Sequence, residues 1–313
     1  MEGKVLALAG GVGGAKLVLG LSRLLSKDQL VVVVNTGDDE EFHGLHVSPD
    51  LDTVMYTLAG LSNTETGWGL AGDTFQALEM LGRYGAETWF NLGDRDLATH
   101  LRRTQLLRKG ATLSQVTEEL CNSLEVGPEL VPMSDDPVRT VLSTSCGRLP
   151  MQQYFVQQLS EPTVSAVEYE GAESAKPSPS FAESLEQAEL VVFCPSNPFL
   201  SLGPILAVPG VREELQSSKF MGKRIAVSPI IGDMAFRGPA AKIMAELGEE
   251  VSSVGVARQY RGLCDTLMID HQDSNLVPAI NNLGITPVTA NILMNTEAEK
   301  VALARQILEI GGS

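Results

Sequence analysis

"LALAGGVGGAKLVLGL", Leu6 to Leu21, decides the fold. Lys4 to Ala9 is a short apolar run ending in glycine, which predicts a buried parallel strand. Ala15 to Ser26 then follows helical spacing, with Leu17, Val18, Leu21, Leu24 and Leu25 on one face. "LVVVVN", Leu30 to Asn35, is a second buried strand. A strand, a helix and a strand at these lengths imply a right-handed parallel crossover. The alternation returns late in the chain at Leu190 to Cys194, Arg224 to Ser228, Asp265 to Asp270 and Ile285 to Thr289, with a closing helix over Glu297 to Ile310. Strands at both ends of the chain belong to one sheet. The expectation is a single α/β domain over residues 1–313: a Rossmann-like, mostly parallel sheet flanked by helices.

The middle reads differently. Asp73 to Tyr84, Asp94 to Arg108 and Leu113 to Leu124 have helical patterns, and Asp73 to Gln76 has capping-box spacing. Pro137 to Thr144 and Pro162 to Gly171 read as antiparallel strands, and Gly171 to Ser180 as a polar surface loop. Residues of about 60–175 are therefore expected to form a largely helical insertion over the carboxyl edge of the sheet.

The 313 residues are 43% hydrophobic, ample for a sizeable core, and carry a net charge of −16. Such a chain repels nucleic acid and anionic membranes as a whole, so an anionic ligand needs a local site. Cys121, Cys146, Cys194 and Cys264 form no C-x-x-C pair and read as buried thiols in a reducing compartment. No stretch has the length of a membrane span or the layout of a signal peptide, which predicts a cytoplasmic protein.

The glycine run, Gly10, Gly11, Gly13 and Gly14 followed by Lys16, excludes two nucleotide motifs. A Walker A loop needs glycine directly before its lysine, and here Ala15 stands there. The dinucleotide pattern needs a third glycine where Lys16 stands, which weakens an NAD-dependent oxidoreductase. What remains is a glycine turn at a strand end opening a helix, suited to an anion, or a tight turn with no ligand.

Four further runs carry polar groups. In "NTGDDEEFHGLHVSPDLDTVMY", Asn35 to Tyr56, Ser48-Pro49-Asp50-Leu51-Asp52 reads as a helix start. Asp50 and Asp52 either complement the helix dipole or hold a divalent ion beside the glycines. His43 and His46 lack a third zinc ligand and read as a solvated loop. "WFNLGDRDLATHLRR", Trp89 to Arg103, crowds Asp94, Arg95, Asp96 and His100 at a helix start. "CPSNPFLSLGPIL" (Cys194 to Leu206) and "AVSPIIGDMAFRGPAAKIM" (Ala226 to Met244) place polar turns after strands, on the edge where open α/β sheets bind ligands.

Taken in order, "GGVGGAKL", "VVNTGDD", "SPDLDTVMY", "WGLAGDTF", "LGDRDLATH", "SNPFLSLGPIL", "VSPIIG" and "GPAAKIM" resemble the 2-phospho-L-lactate transferase (CofD) family of deazaflavin coenzyme F-420 biosynthesis. The resemblance implies a magnesium-dependent transfer of a phospholactyl or phosphoenolpyruvyl group. The donor would be GDP-linked, the acceptor the ribityl hydroxyl of 7,8-didemethyl-8-hydroxy-5-deazariboflavin, and the leaving group GMP. On that reading Asp50 and Asp52 are the catalytic and metal-binding residues. Gly10, Gly11, Gly13, Gly14, Lys16, Asn35, Thr36, Asn197, Pro198, Ser228, Pro229, Gly232 and Asp233 face the donor. Asp50, Trp68, Asn91, Gly93, Asp94, Arg95 and His100 face the acceptor, with residues 60–175 as a lid or acceptor-binding subregion. A homodimer is expected, as the commonest assembly. A nucleotide-sugar-binding regulatory protein of related fold is the competing reading, since fold alone does not fix function.

Overall fold

The computed structural model describes residues 3–232, 234–235 and 238–312. Seven parallel strands form the central sheet: β1 (Lys4–Ala9), β2 (Leu30–Val34), β3 (Glu129–Pro132), β4 (Ala188–Phe193), β5 (Lys223–Val227), β6 (Thr266–Asp270) and β7 (Thr286–Ala290). Their spatial order is β7-β6-β5-β4-β1-β2-β3, the Rossmann order extended by one strand. Ala7 lies between Val32 of β2 and Val192 of β4, so β1 is central.

The apolar strands follow from burial on both faces. Val5, Ala7 and Ala9 alternate with Leu6 and Leu8 and enter opposite cores. One core packs beneath helices α1 (Gly11–Ser22), α2 (Pro49–Leu58) and the closing helix Glu297–Gly312; the other lies under helices that include Pro179–Gln187, Leu202–Ala207 and Ser253–Gln259. Full burial of each such Leu or Val contributes about 1.5–3 kcal/mol.

Several boundaries differ from the sequence expectations. Helix α1 begins at Gly11, so the glycines form its first turn rather than a free loop, and Gly10 is the N-cap. The middle contains α3 (Gln76–Arg83), α4 (Asp96–Arg108) and α5 (Leu113–Ser123), but also β3, which joins the main sheet beside β2. The expected antiparallel strands are present as Arg139–Thr144 and Val164–Glu170, with a third partner, Gly147–Pro150. The polar loop after residue 171 is pinned rather than solvated: Ser178 is buried and its hydroxyl donates to the Pro132 carbonyl at 2.7 Å. Cys121, Cys194 and Cys264 are buried, whereas Cys146 is exposed, because it sits at the tip of a hairpin. No helix among the described residues is long and apolar enough to cross a membrane.

Candidate active site

The strand order reverses between β1 and β4, and a crevice opens beyond their carboxyl ends, as it does in open sheets generally. Gly10 and Gly11 follow β1; Pro195, Ser196 and Asn197 follow β4; both sets line one cleft of about 730 Å³. That volume suits a ligand of cofactor size. Close packing explains most of the glycine run. The Gly10 N–H donates to Ser196 Oγ at 3.1 Å, and a Cβ on Gly10 would stand 2.4 Å from Asp50 Oδ2. A Cβ on Gly13 would stand 2.2 Å from the Pro195 carbonyl oxygen, and one on Gly14 2.7 Å from Ser196 Oγ. Gly11 has φ of +61°, where side chains are rarely tolerated.

Asp50 enters this cleft from the first turn of α2. Ser48 is the N-cap and Pro49 the first helical residue, as the sequence predicts, although the Ser48 hydroxyl donates to Asp39 Oδ2 instead of capping. The Asp50 carboxylate accepts from Asn35 Nδ2 at 2.9 Å, from the Gly11 N–H and from the Ser201 side chain. Burial dominates over those bonds and raises its pKa to about 6. Asp38 lies alongside: Oδ1 accepts from the same Asn35 nitrogen at 3.2 Å, and Oδ2 from the Asp50 N–H at 3.1 Å and from Gln152 Nε2 at 3.3 Å. Burial first, then the charges of Asp50 and Asp39, push the Asp38 carboxyl well up. Neither Asp38 nor Gln152 stood out in the sequence; the signal available was the doubled acid two residues after Thr36.

A second charged layer borders the same cleft. Helix α4 turns Asp96, His100, Arg103 and Thr104 to one buried face, and α2 presents Asp52 and Tyr56 to it. Arg103 grips both oxygens of Asp52, with Nη1 3.0 Å from Oδ2 and Nη2 on Oδ1. Burial opposes the Arg103 cation, but the Asp52 carboxylate outweighs it and holds its pKa above the ordinary value. Tyr56 donates to Asp96 Oδ1 at 2.7 Å. Among the described residues Asp52, Asp96 and His100 are the group whose ligand atoms are close enough for a metal ion. The Arg103 guanidinium already supplies a cation there and engages both Asp52 oxygens.

The "LGDRD" run does structural work. Asp94 accepts from the Gln76 and Ala77 N–H groups at 3.0 and 2.9 Å, capping α3. Asp73 accepts from the Arg95 and Asp96 N–H groups at 2.9 and 3.0 Å, capping α4. Each helix start thus borrows its cap from the loop before the other, and Asp73 is not the capping-box residue of its own helix. Gly93 is a glycine because a Cβ would stand 2.2 Å from Asp73 Oδ2. Arg95 donates to the Ala71 carbonyl at 3.0 Å. Gly93, Asp94 and Arg95 sit in this junction and do not line the cleft, unlike Trp68, Asn91 and His100, which do.

The donor set divides similarly. Gly10, Gly11, Gly13, Lys16, Asn197 and Pro229 line the cleft. Asn35 lies behind Asp50 and braces the turn by accepting from the Gly37 N–H and donating to the Leu200 carbonyl. Thr36 and Pro198 are buried, and Ser228 closes its own turn with the Ile230 N–H at 3.1 Å. Gly232 donates to Asp273 Oδ1 at 2.9 Å, and Asp233 lies outside the described residues. His46 pairs with Asp39 at 2.8 Å, so this histidine is tied to the acidic run rather than free in a solvated loop. The remaining wall of the cleft is apolar, with Trp68, Phe90, Met151, Phe155, Leu159 and Leu293.

Comparison with known proteins shows the family of the chain and a shared fold. The family model described as 2-phospho-L-lactate transferase CofD matches residues 5–307. The chain is 42% identical over 313 residues to a phosphoenolpyruvate transferase of Streptomyces griseus and 40% to one of Streptomyces coelicolor, covering 98% of each chain. It is 38% identical to a 2-phospho-L-lactate transferase of Methanosarcina mazei, covering 97% of this chain and 99% of that one. A crystal structure of a UPF0052 family member from Bacillus halodurans shares the fold, with a TM-score of 0.63 at 16% identity over 98% of this chain and 99% of that one.

Proposed function

The chain belongs to the CofD family of 2-phospho-L-lactate and phosphoenolpyruvate transferases of F-420 biosynthesis, and from that premise we propose the reaction and the residues that carry it. The substrates are a GDP-linked three-carbon acid, lactate or enolpyruvate, and the ribityl hydroxyl of a deazariboflavin. The hydroxyl oxygen bonds to the phosphorus that bears the acid, the bond from that phosphorus to GMP breaks, and the hydroxyl proton passes to Asp50. Without metal the Asp50 carboxyl has a pKa of about 6, so it is mostly ionised at neutral pH, as a proton acceptor or a metal ligand must be. Such transfers depend on positioning and charge neutralisation more than on covalent help. The N–H groups opening α1 and the Lys16 ammonium hold donor phosphate oxygens. Trp68, Asn91 and His100 face the acceptor.

Asp38 and Asp50 would hold magnesium, with Asp38 in the place the sequence suggested for Asp52. Two carboxylates beside a phosphate are an ordinary magnesium arrangement. Their crowding on one Asn35 nitrogen, with burial raising both pKa values, supports the fit. Bound there, magnesium supplies charge neutralisation at the donor phosphates.

The observation that carries this reading is the convergence of Asp50 and Asp38 on the opening of α1 at the switch point of the sheet. The test is turnover with deazariboflavin, magnesium and each GDP-linked donor, following GMP and the new phosphodiester by mass spectrometry. Product with one donor is expected. No product with either, together with tight binding of a nucleotide-sugar, would favour the regulatory reading.

A further inference from the structure

His100 is 1% exposed, lines the cleft, and is held between two carboxylates and a guanidinium. Its Nδ1 lies 3.3 Å from Arg103 Nη1. A guanidinium nitrogen only donates, so Nδ1 accepts and carries no proton. In the neutral ring the proton is then on Nε2. That nitrogen makes no well-formed hydrogen bond; its contact with Asp96 Oδ2 is a loose one at 3.3 Å. A buried donor so weakly partnered requires an explanation, and a ligand oxygen is one.

Arg103 itself is fixed by its two bonds to Asp52, and Asp96 by the Tyr56 hydroxyl on its carboxylate and by its own N–H, which donates to Asp73 Oδ2. The two groups flanking the imidazole are thus fixed, and His100 borders the cleft. We propose that Arg103 is a positioning residue: it locks His100 as the Nε2–H tautomer, so that the ring offers one hydrogen-bond donor to an oxygen of the bound acceptor. This deepens the transferase reading and rests on it for the identity of the ligand, but not for the tautomer.

Two-bond 15N–1H correlation spectra of protein labelled at histidine test it without any turnover. The chain has four histidines, and His100 is identified by the signal lost in His100→Gln. The expected result is an unprotonated Nδ1 and a protonated Nε2 at neutral pH, with Arg103→Met giving a mixture of tautomers. A wild-type His100 protonated at Nδ1 overturns the proposal, whether or not Arg103→Met folds. So does a spectrum that Arg103→Met leaves unchanged. For the ligand, deazariboflavin fluorescence titration is expected to weaken about tenfold in His100→Ala, the scale of one lost hydrogen bond. His100→Gln, whose amide N–H reaches the Nε2 position, should recover most of that loss. Equal weakening in both variants would show that the ring fills space and donates nothing.

Discussion

At the scale of single residues, Asp50 carries opposite consequences for stability and for chemistry. Burial raises its pKa from 3.8 to about 6, so the folded chain binds this proton more tightly than the unfolded chain does. The sign follows directly: metal-free stability is highest at low pH for this group and falls as pH rises from about 4 to about 6. The slope is at most about 1.4 kcal/mol per pH unit for one carboxyl. Asp38 acts in the same direction. Chemical denaturation in chelator at pH 4.5 and pH 7 checks this, with Asp50→Asn expected to show a smaller loss across that interval. Asp50 was legible in the sequence because serine, proline and acid mark a helix start. Asp52 was legible only as an acid; the Arg103 that occupies it lies 51 residues away, and no local pattern announces such a pair. Asp38 was hidden for a related reason, since only the folded chain brings it and Asp50 onto one asparagine.

At the scale of elements, the first turn of α1 is a packing surface before it is a binding surface. The helix can approach the Pro195 and Ser196 turn only because Gly13 and Gly14 lack side chains. Gly13→Ala forces its Cβ against backbone that cannot rotate away, and is expected to destabilise the protein by about 1–3 kcal/mol. Urea denaturation measures it; a change within experimental error would mean that the turn after β4 yields readily. The sequence left the glycines open to an anion or to a tight turn, because a pattern of small residues does not by itself distinguish a ligand from a neighbouring backbone. "LGDRDLATH" carries the same lesson. Its acids look like site residues in the chain, but Asp94 and Asp73 exchange caps between α3 and α4, an arrangement that needs two loops about twenty residues apart. Of this run, Asp96 and His100, both on α4, reach the cleft.

At the scale of the whole molecule, the parallel sheet was legible because strands buried on both faces are written as unbroken apolar runs, whereas their spatial order was not. β3 was not, because four residues with a proline at an edge leave almost no pattern. The switch point between β1 and β4 then fixes where the cleft opens, and in a chain of net charge −16 the acids gathered there are where the proposed magnesium would sit. Magnesium is expected to raise the melting temperature, by the equivalent of about 2.7 kcal/mol at a hundredfold excess over Kd. Asp38→Asn should lose most of that rise, and an unchanged rise would remove Asp38 from the metal site. The most direct test of the central claim is single-turnover phosphodiester formation by Asp50→Asn, measured beside donor binding by the same protein. The account predicts that formation falls about 10²- to 10⁴-fold while donor binding persists. Turnover within a few-fold of the unsubstituted protein would contradict it.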